Sequence, residues 1–171
     1  SSNSKEIKKG YIFVALKGQK FDGIDFIEEA KKNGALIILA ESYDKEDIIS
    51  LTKGTSRKVY SLLLSCFYEK QPKQIVGVTG TNGKTSVVEF CRQIWEQASW
   101  KAASMGTLGT KIGTISEKYN LLTSTENLTT YEPADLYEQL HYLASKQVSH
   151  LAIEASSHGI DQCRLDGIKF S

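Results

Sequence analysis

Lys84 and Thr85 close a glycine-rich turn, Gly80-Thr81-Asn82-Gly83, which follows the apolar run Ile75-Val76-Gly77-Val78. A β-branched run, a flexible turn, a lysine, a hydroxyl and then a helical pattern make a cradle for nucleotide phosphates. Backbone N–H groups of such a turn converge on an anion. The helix that follows adds the positive end of its dipole and its unpaired N–H groups. The lysine ammonium reaches the β- and γ-phosphates, and the hydroxyl ligates Mg²⁺. Gly80, Thr81, Asn82, Gly83, Lys84, Thr85 and Ser86 are therefore the expected phosphate-binding residues, for ATP or GTP. The spacing departs from G-x-x-x-x-G-K-[ST] at one position, where Val78 replaces the first glycine. A glycine-rich turn without a ligand is the alternative.

A second group of chemistry-bearing residues is Glu154-Ala155-Ser156-Ser157-His158-Gly159. Residues 149–154 read as a strand, parallel to and beside the strand at 75–79. In parallel sheets ligands bind at the carboxyl ends of strands. Glu154 lies at such an end, where a carboxylate can ligate the Mg²⁺ that bridges nucleotide phosphates. A solvated glutamate at a strand exit fits position alone equally well. The hydroxyls and imidazole after it could bind a polar substrate or simply cap a turn. Thr123, Ser124, Thr125, Thr129 and Thr130 form a hydroxyl-rich loop that is either a substrate clamp or a flexible connection. His141 and His150 read as surface or packing residues, since no metal-ligand spacing surrounds them.

The elements that must position these groups alternate. Strands are expected at 11–16, 35–40, 75–79, 102–108 and 149–154. Helices are expected at 26–32, with Asp25 as N-cap and Asn33-Gly34 as stop, at 56–69, at 84–98 and from Pro133. Gln71-Pro72 is the expected end of the helix at 56–69. The helix at 84–98 shows Val87, Cys91, Ile94, Trp95 and Ala98 as its inner face. Val59, Leu62, Leu63, Cys66 and Phe67 give the helix at 56–69 its apolar spacing. Residues 109–128 read as a hairpin or long loop. Alternation of this kind implies α/β units with parallel sheets, here 1–70 and 71–171.

The 171 residues carry a formal net charge of +1, which argues against a nucleic-acid or acidic-membrane partner. No apolar run is long enough to span a bilayer, and Ser1-Ser2-Asn3-Ser4-Lys5 does not resemble a signal peptide. Three cysteines, widely spaced and odd in number, fit packing roles in a reducing cytoplasm better than a disulfide framework. A monomer is expected. Both ends read as cuts from a longer protein.

Several of these pieces, in this order, resemble the Mur ligases of bacterial cell-wall synthesis. Thr79-Gly80-Thr81-Asn82-Gly83-Lys84-Thr85 is similar to the P-loop shared by Mur ligases and folylpolyglutamate synthases. Glu154 to Gly159 resembles the E-x-S-S-H segment of the branch that adds the third amino acid of the stem peptide. Ser4-Lys5, Gly10-Tyr11-Ile12-Phe13-Val14-Ala15, Gly18 and Asp22-Gly23 resemble the family's UDP-binding domain. There are departures: the usual D-S-R reads Asn3-Ser4-Lys5, and the usual T-T-P reads Thr129-Thr130-Tyr131, with proline at 133.

The resemblance implies a small N-terminal α/β UDP-binding domain followed by part of a P-loop parallel-sheet ATP-binding domain. It places a C-terminal domain, which binds the incoming amino acid, beyond Ser171. It implies ATP-dependent amide formation through an acyl phosphate, adding diaminopimelate or lysine to UDP-N-acetylmuramoyl-L-alanyl-D-glutamate in peptidoglycan precursor synthesis. ATP and Mg²⁺ are the implied cofactors. Lys84 and Glu154 are the implied catalytic residues, and Thr85 and Glu154 the implied metal ligands. Ser4, Gln19 and Lys20 would contact the UDP part, and Thr129, Thr130, Ser156, Gln162 and Arg164 the muramyl-peptide. On its own the chain is not expected to complete the reaction. Two other readings are a non-catalytic nucleotide-sugar-binding module and a folylpolyglutamate-synthase-like ligase.

Overall fold

The computed structural model describes residues 1–18, 21–43, 45–113 and 128–171. Gln19, Lys20, Thr123, Ser124 and Thr125 lie outside them. The chain divides into two compact units, Ser1–Tyr60 and Ser61–Ser171. Among the described residues no helix is long and apolar enough to cross a membrane.

The first unit contains β1 (Ile12–Val14), α1 (Ile27–Lys32), β2 (Ile37–Glu41), β3 (Ile49–Leu51) and the start of α2 (Ser56–Tyr68). Its strands run parallel in the order β1-β2-β3, with Ile12 opposite Ile37 and Leu39 opposite Ile49. Phe13, Ala15, Ile27, Ala30, Ile38 and Ala40 form its core. Parallel strands covered on both faces need such apolar runs. The cap before α1 differs from expectation. Asp22, not Asp25, accepts the N–H of Ile24, because a 3-10 turn over Gly23–Phe26 precedes the helix. Glu41, at the end of β2, accepts the N–H groups of Gly54 and Ser56 at 2.8 and 2.7 Å. A carboxylate thus sits at the N-terminus of α2, where its charge suits the helix dipole. That helix ends at Tyr68, and Glu69 leaves it in the left-handed region (φ 56°), ahead of Pro72.

The second unit contains β4 (Gln74–Val78), α3 (Lys84–Gln97), β5 (Ala102–Gly106), β6 (Gly109–Ile112), α4 (Pro133–Ser145), β7 (His150–Glu154) and α5 (Ser157–Asp161). The sheet order is β4-β7-β5-β6. β4, β7 and β5 are parallel; β6 returns antiparallel from a turn at Thr107-Leu108. Side chains alternate across a strand. Ile75, Met105, Leu151 and Ile153 therefore share one face and pack with Leu136, Leu140 and Leu143 of α4.

The opposite face carries the small residues Ala102, Ser104 and Ala152, and Ser104 meets α3 through Glu89. This corrects the expected inner face of α3. Val88 and Arg92 are buried, while Val87, Phe90 and Ile94 are exposed. A strand face with a hydroxyl and little bulk accepts the polar edge of the helix. There Glu89 takes Ser104 Oγ at 2.6 Å, Arg92 at 3.0 Å and Lys111 at 3.2 Å. In α2, likewise, Leu62, Leu63, Cys66 and Phe67 are exposed. Its Ser61 and Ser65 hydroxyls instead satisfy the carbonyls of Cys163 and Gly167, at 2.6 and 3.0 Å.

Candidate functional site

The parallel register of β4 and β7 sets Val78 opposite Glu154. The P-loop and the glutamate therefore leave the sheet at adjacent strand ends. Past Val78 the backbone turns through two glycines with positive φ, Gly80 (146°) and Gly83 (78°). Only a residue without Cβ adopts these angles cheaply. Gly83 is the N-cap of α3 and supplies no side-chain cap. The N–H groups of the first helical turn are thus left to an external acceptor. Lys84 Nζ folds over the loop and donates to Gly80 O at 2.6 Å. Thr81, Asn82, Gly83 and Ser86 are exposed, and Thr85 is half-buried in the first turn.

Glu154 is 2 % exposed. Thr107 N donates to its Oε1 at 3.1 Å, and Thr107 Oγ1 to its Oε2 at 3.2 Å. A Cβ on Gly106 would stand 2.3 Å from Oε1, so the absent side chain makes room for the carboxylate. A carboxylate in such a cradle, at a strand end beside the one that leads into the glycine-rich turn, offers the hard oxygen donors that suit Mg²⁺. The residues present fit that ion.

Thr130, Ser156, Gln162 and Arg164 come together behind Glu154. Thr130 Oγ1 donates to Glu154 O at 3.0 Å and accepts Ser156 N at 2.9 Å. Ser156 Oγ accepts Gly159 N at 3.1 Å and caps α5. Arg164, 6 % exposed, donates to Thr130 O at 2.7 Å and to Gln162 Oε1 from both Nε (3.0 Å) and Nη2 (2.7 Å). Its Nη2 also pairs with Glu132 at 2.7 Å. Because Gln162 spends its oxygen on Arg164, its amide nitrogen faces His158 Nε2 at 2.7 Å and donates to it. Thr129 Oγ1 lies 3.2 Å from Thr107 Oγ1. Ser4 belongs to the first unit and is buried there. Its hydroxyl donates to Glu29, and its carbonyl accepts Asn33 Nδ2 at 2.9 Å.

Thr107, Gly106 and Glu132 were not foreseen in the sequence. The signal for the first two was a threonine on a two-residue turn between Gly106 and Gly109.

The sequence model described as "Mur ligase middle domain" matches residues 78–171, and "Mur ligase family, catalytic domain" matches residues 1–65. The chain belongs to the Mur ligase family. Among curated proteins, this Mur ligase chain is 44% identical over 173 residues to UDP-N-acetylmuramoyl-L-alanyl-D-glutamate--2,6-diaminopimelate ligase of Caulobacter vibrioides, covering 100% of this chain and 35% of that protein. It is 44% identical over 177 residues to the protein of the same name from Brucella melitensis, covering 100% of this chain and 34% of that protein. A solved structure of a ligase of that name aligns with a TM-score of 0.81 and 27% identity, covering 100% of this chain and 34% of that one. The MurF ligase of Thermotoga maritima in complex with ADP aligns with a TM-score of 0.54 and 25% identity, covering 96% of this chain and 34% of that one. The chain thus spans about a third of the length of the relatives it matches.

Proposed function

We propose that this chain forms the nucleotide- and muramyl-peptide-handling part of an ATP-dependent carbon–nitrogen ligase. The reaction joins an amine of 2,6-diaminopimelate to the side-chain carboxylate of D-glutamate in UDP-N-acetylmuramoyl-L-alanyl-D-glutamate. The structural observation that supports this reading is the Val78–Glu154 register, which sets the strand leading into the Gly80–Gly83 turn beside a buried carboxylate. The names of the Caulobacter and Brucella relatives favour diaminopimelate over lysine. We assign its binding to a domain within the part of the relatives' length that this chain does not span.

In this reading a glutamate carboxylate oxygen attacks the γ-phosphorus of ATP. The bond to the β-bridging oxygen breaks, ADP leaves, and an acyl phosphate forms. The amine nitrogen then attacks the acyl carbon, phosphate leaves with the C–O electron pair, and the proton lost from nitrogen passes to solvent. Lys84 releases Gly80 O and neutralises charge on the β- and γ-phosphate oxygens, while the first-turn N–H groups of α3 hold the phosphates. Mg²⁺, held by Thr85 and Glu154, would screen charge on the transferring phosphoryl group. Gln19 and Lys20 take the UDP part, and Ser4 joins them only by giving up its bond to Glu29. Thr129, Thr130, Ser156, Gln162 and Arg164 wall the muramyl-peptide. Arg164 reaches a substrate carboxylate by exchanging Glu132, whose side chain is half exposed.

The test is a chimera in which this chain replaces the matching third of the Caulobacter relative. ATP- and diaminopimelate-dependent amide formation on the muramyl dipeptide is expected, and Lys84→Ala should abolish it. A folded chimera that forms no amide contradicts the reading.

A further inference from the structure

Both hydrogen-bond donors of Thr107 converge on the two oxygens of one buried carboxylate, the N–H on Glu154 Oε1 at 3.1 Å and the hydroxyl on Oε2 at 3.2 Å. The missing side chain of Gly106 lets that carboxylate approach the turn. The turn is itself anchored at the far end of its hairpin. There Lys111 pairs with Glu89 at 3.2 Å, and Arg92 donates to Gly113 O. Each carboxylate oxygen can accept two hydrogen bonds. Thr107 takes one site on each oxygen. It thereby fixes the rotation of the carboxylate and leaves the remaining sites for another ligand.

We propose that Thr107 is a positioning residue that holds Glu154 in the orientation in which its carboxylate meets a divalent cation at the P-loop. The inference rests on the reading of Glu154 as a metal ligand. Partners one bond removed from a metal typically change its affinity by about 10–100-fold.

The experiment is calorimetric titration of the chain with Mn²⁺ in the presence of a non-hydrolysable ATP analogue, for wild type, Thr107→Val, Thr107→Ser and Glu154→Gln. A thermal melt monitors folding, and Thr107→Ala replaces the valine variant should that one not fold. Thr107→Val is expected to weaken Mn²⁺ binding about tenfold, at the low end of that range, with metal-free analogue binding unchanged. Thr107→Ser is expected to restore it. Wild-type Mn²⁺ affinity in Thr107→Val, or serine as weak as valine, overturns the proposal while a weakened Glu154→Gln leaves the metal reading standing. Unchanged Mn²⁺ binding in Glu154→Gln, or none in wild type, overturns the metal reading and the proposal with it.

Discussion

Arg164 Nη1 donates to the backbone carbonyl of Thr130 at 2.7 Å, across 34 residues of chain. Thr130 in turn holds Glu154 O and Ser156 N through its hydroxyl. One buried guanidinium thereby anchors the loop that braces the strand end carrying Glu154. Arg164→Ala leaves Thr130 O without its donor, and charge-assisted bonds of this kind are worth about 1.5–3 kcal/mol. A loss of stability of about that size is expected in urea unfolding. Arg164→Lys should recover little of it, because an ammonium cannot reproduce the planar fork that engages Thr130, Gln162 and Glu132 together.

Among the described residues, Lys84 donates to carbonyls of its own loop, at Gly80 and Thr81. Lys84→Ala should therefore leave stability within about 0.5 kcal/mol of wild type. Binding of an ATP analogue should weaken at least about tenfold, as expected for the loss of a charge-assisted phosphate contact. Parallel melts and titrations check both halves. Unchanged analogue affinity would contradict the role given to this lysine.

Gly106→Ala tests the cradle. The new Cβ would fall 2.3 Å from Glu154 Oε1 and 2.5 Å from its Cδ, so the carboxylate must move. Overpacking of this kind costs about 1–3 kcal/mol. Metal-dependent analogue binding should fall more than metal-free binding. Equal effects on both would indicate a general disturbance instead of a displaced carboxylate.

Two glutamates on α3 should respond to pH in opposite senses. Burial works to raise the Glu89 carboxyl, but bonds from Ser104, Arg92 and Lys111 outweigh it and hold it below its ordinary 4.5. Its contribution is present above that value and is lost as pH falls through the lowered one. Burial raises the Glu96 carboxyl, and the Glu89 charge adds to this against the pull of Arg92. The folded state thus binds that proton more tightly, and stability from this site is lost as pH rises from 4.5 through the raised value. Glu96→Gln should be at least as stable as wild type at pH 7, with the advantage shrinking on acidification. Glu89→Gln should be less stable at pH 7, with the deficit shrinking below 4.5. Urea midpoints measured from pH 7 down to pH 3 check both directions.

The site's frame was legible because its signals are local. A glycine turn followed by lysine and threonine marks the start of α3, and the parallel-sheet rule puts Glu154 beside it. The helix α4 was legible from Pro133, Leu136, Leu140 and Leu143, which the structure buries. The inner face of α3 was misread because apolar spacing selects Val87 and Ile94. The helix instead turns Arg92 and Glu89 inward, toward partners on β5, on β6 and at Gly113. β3 leaves no mark in the sequence because Ile49-Ser50-Leu51 is short and largely exposed, with no period to read. The Thr107–Glu154 pairing spans 47 residues and depends on how a hairpin returns to the sheet, which no local pattern announces.

The most direct test of the account is calorimetric titration of the chain with UDP-N-acetylmuramoyl-L-alanyl-D-glutamate, with and without Mg²⁺ and a non-hydrolysable ATP analogue, and with a folate as competitor. The account predicts that the muramyl dipeptide and the Mg²⁺-dependent analogue both bind, and that folate displaces neither. A folded chain that binds the analogue but not the muramyl dipeptide would contradict it.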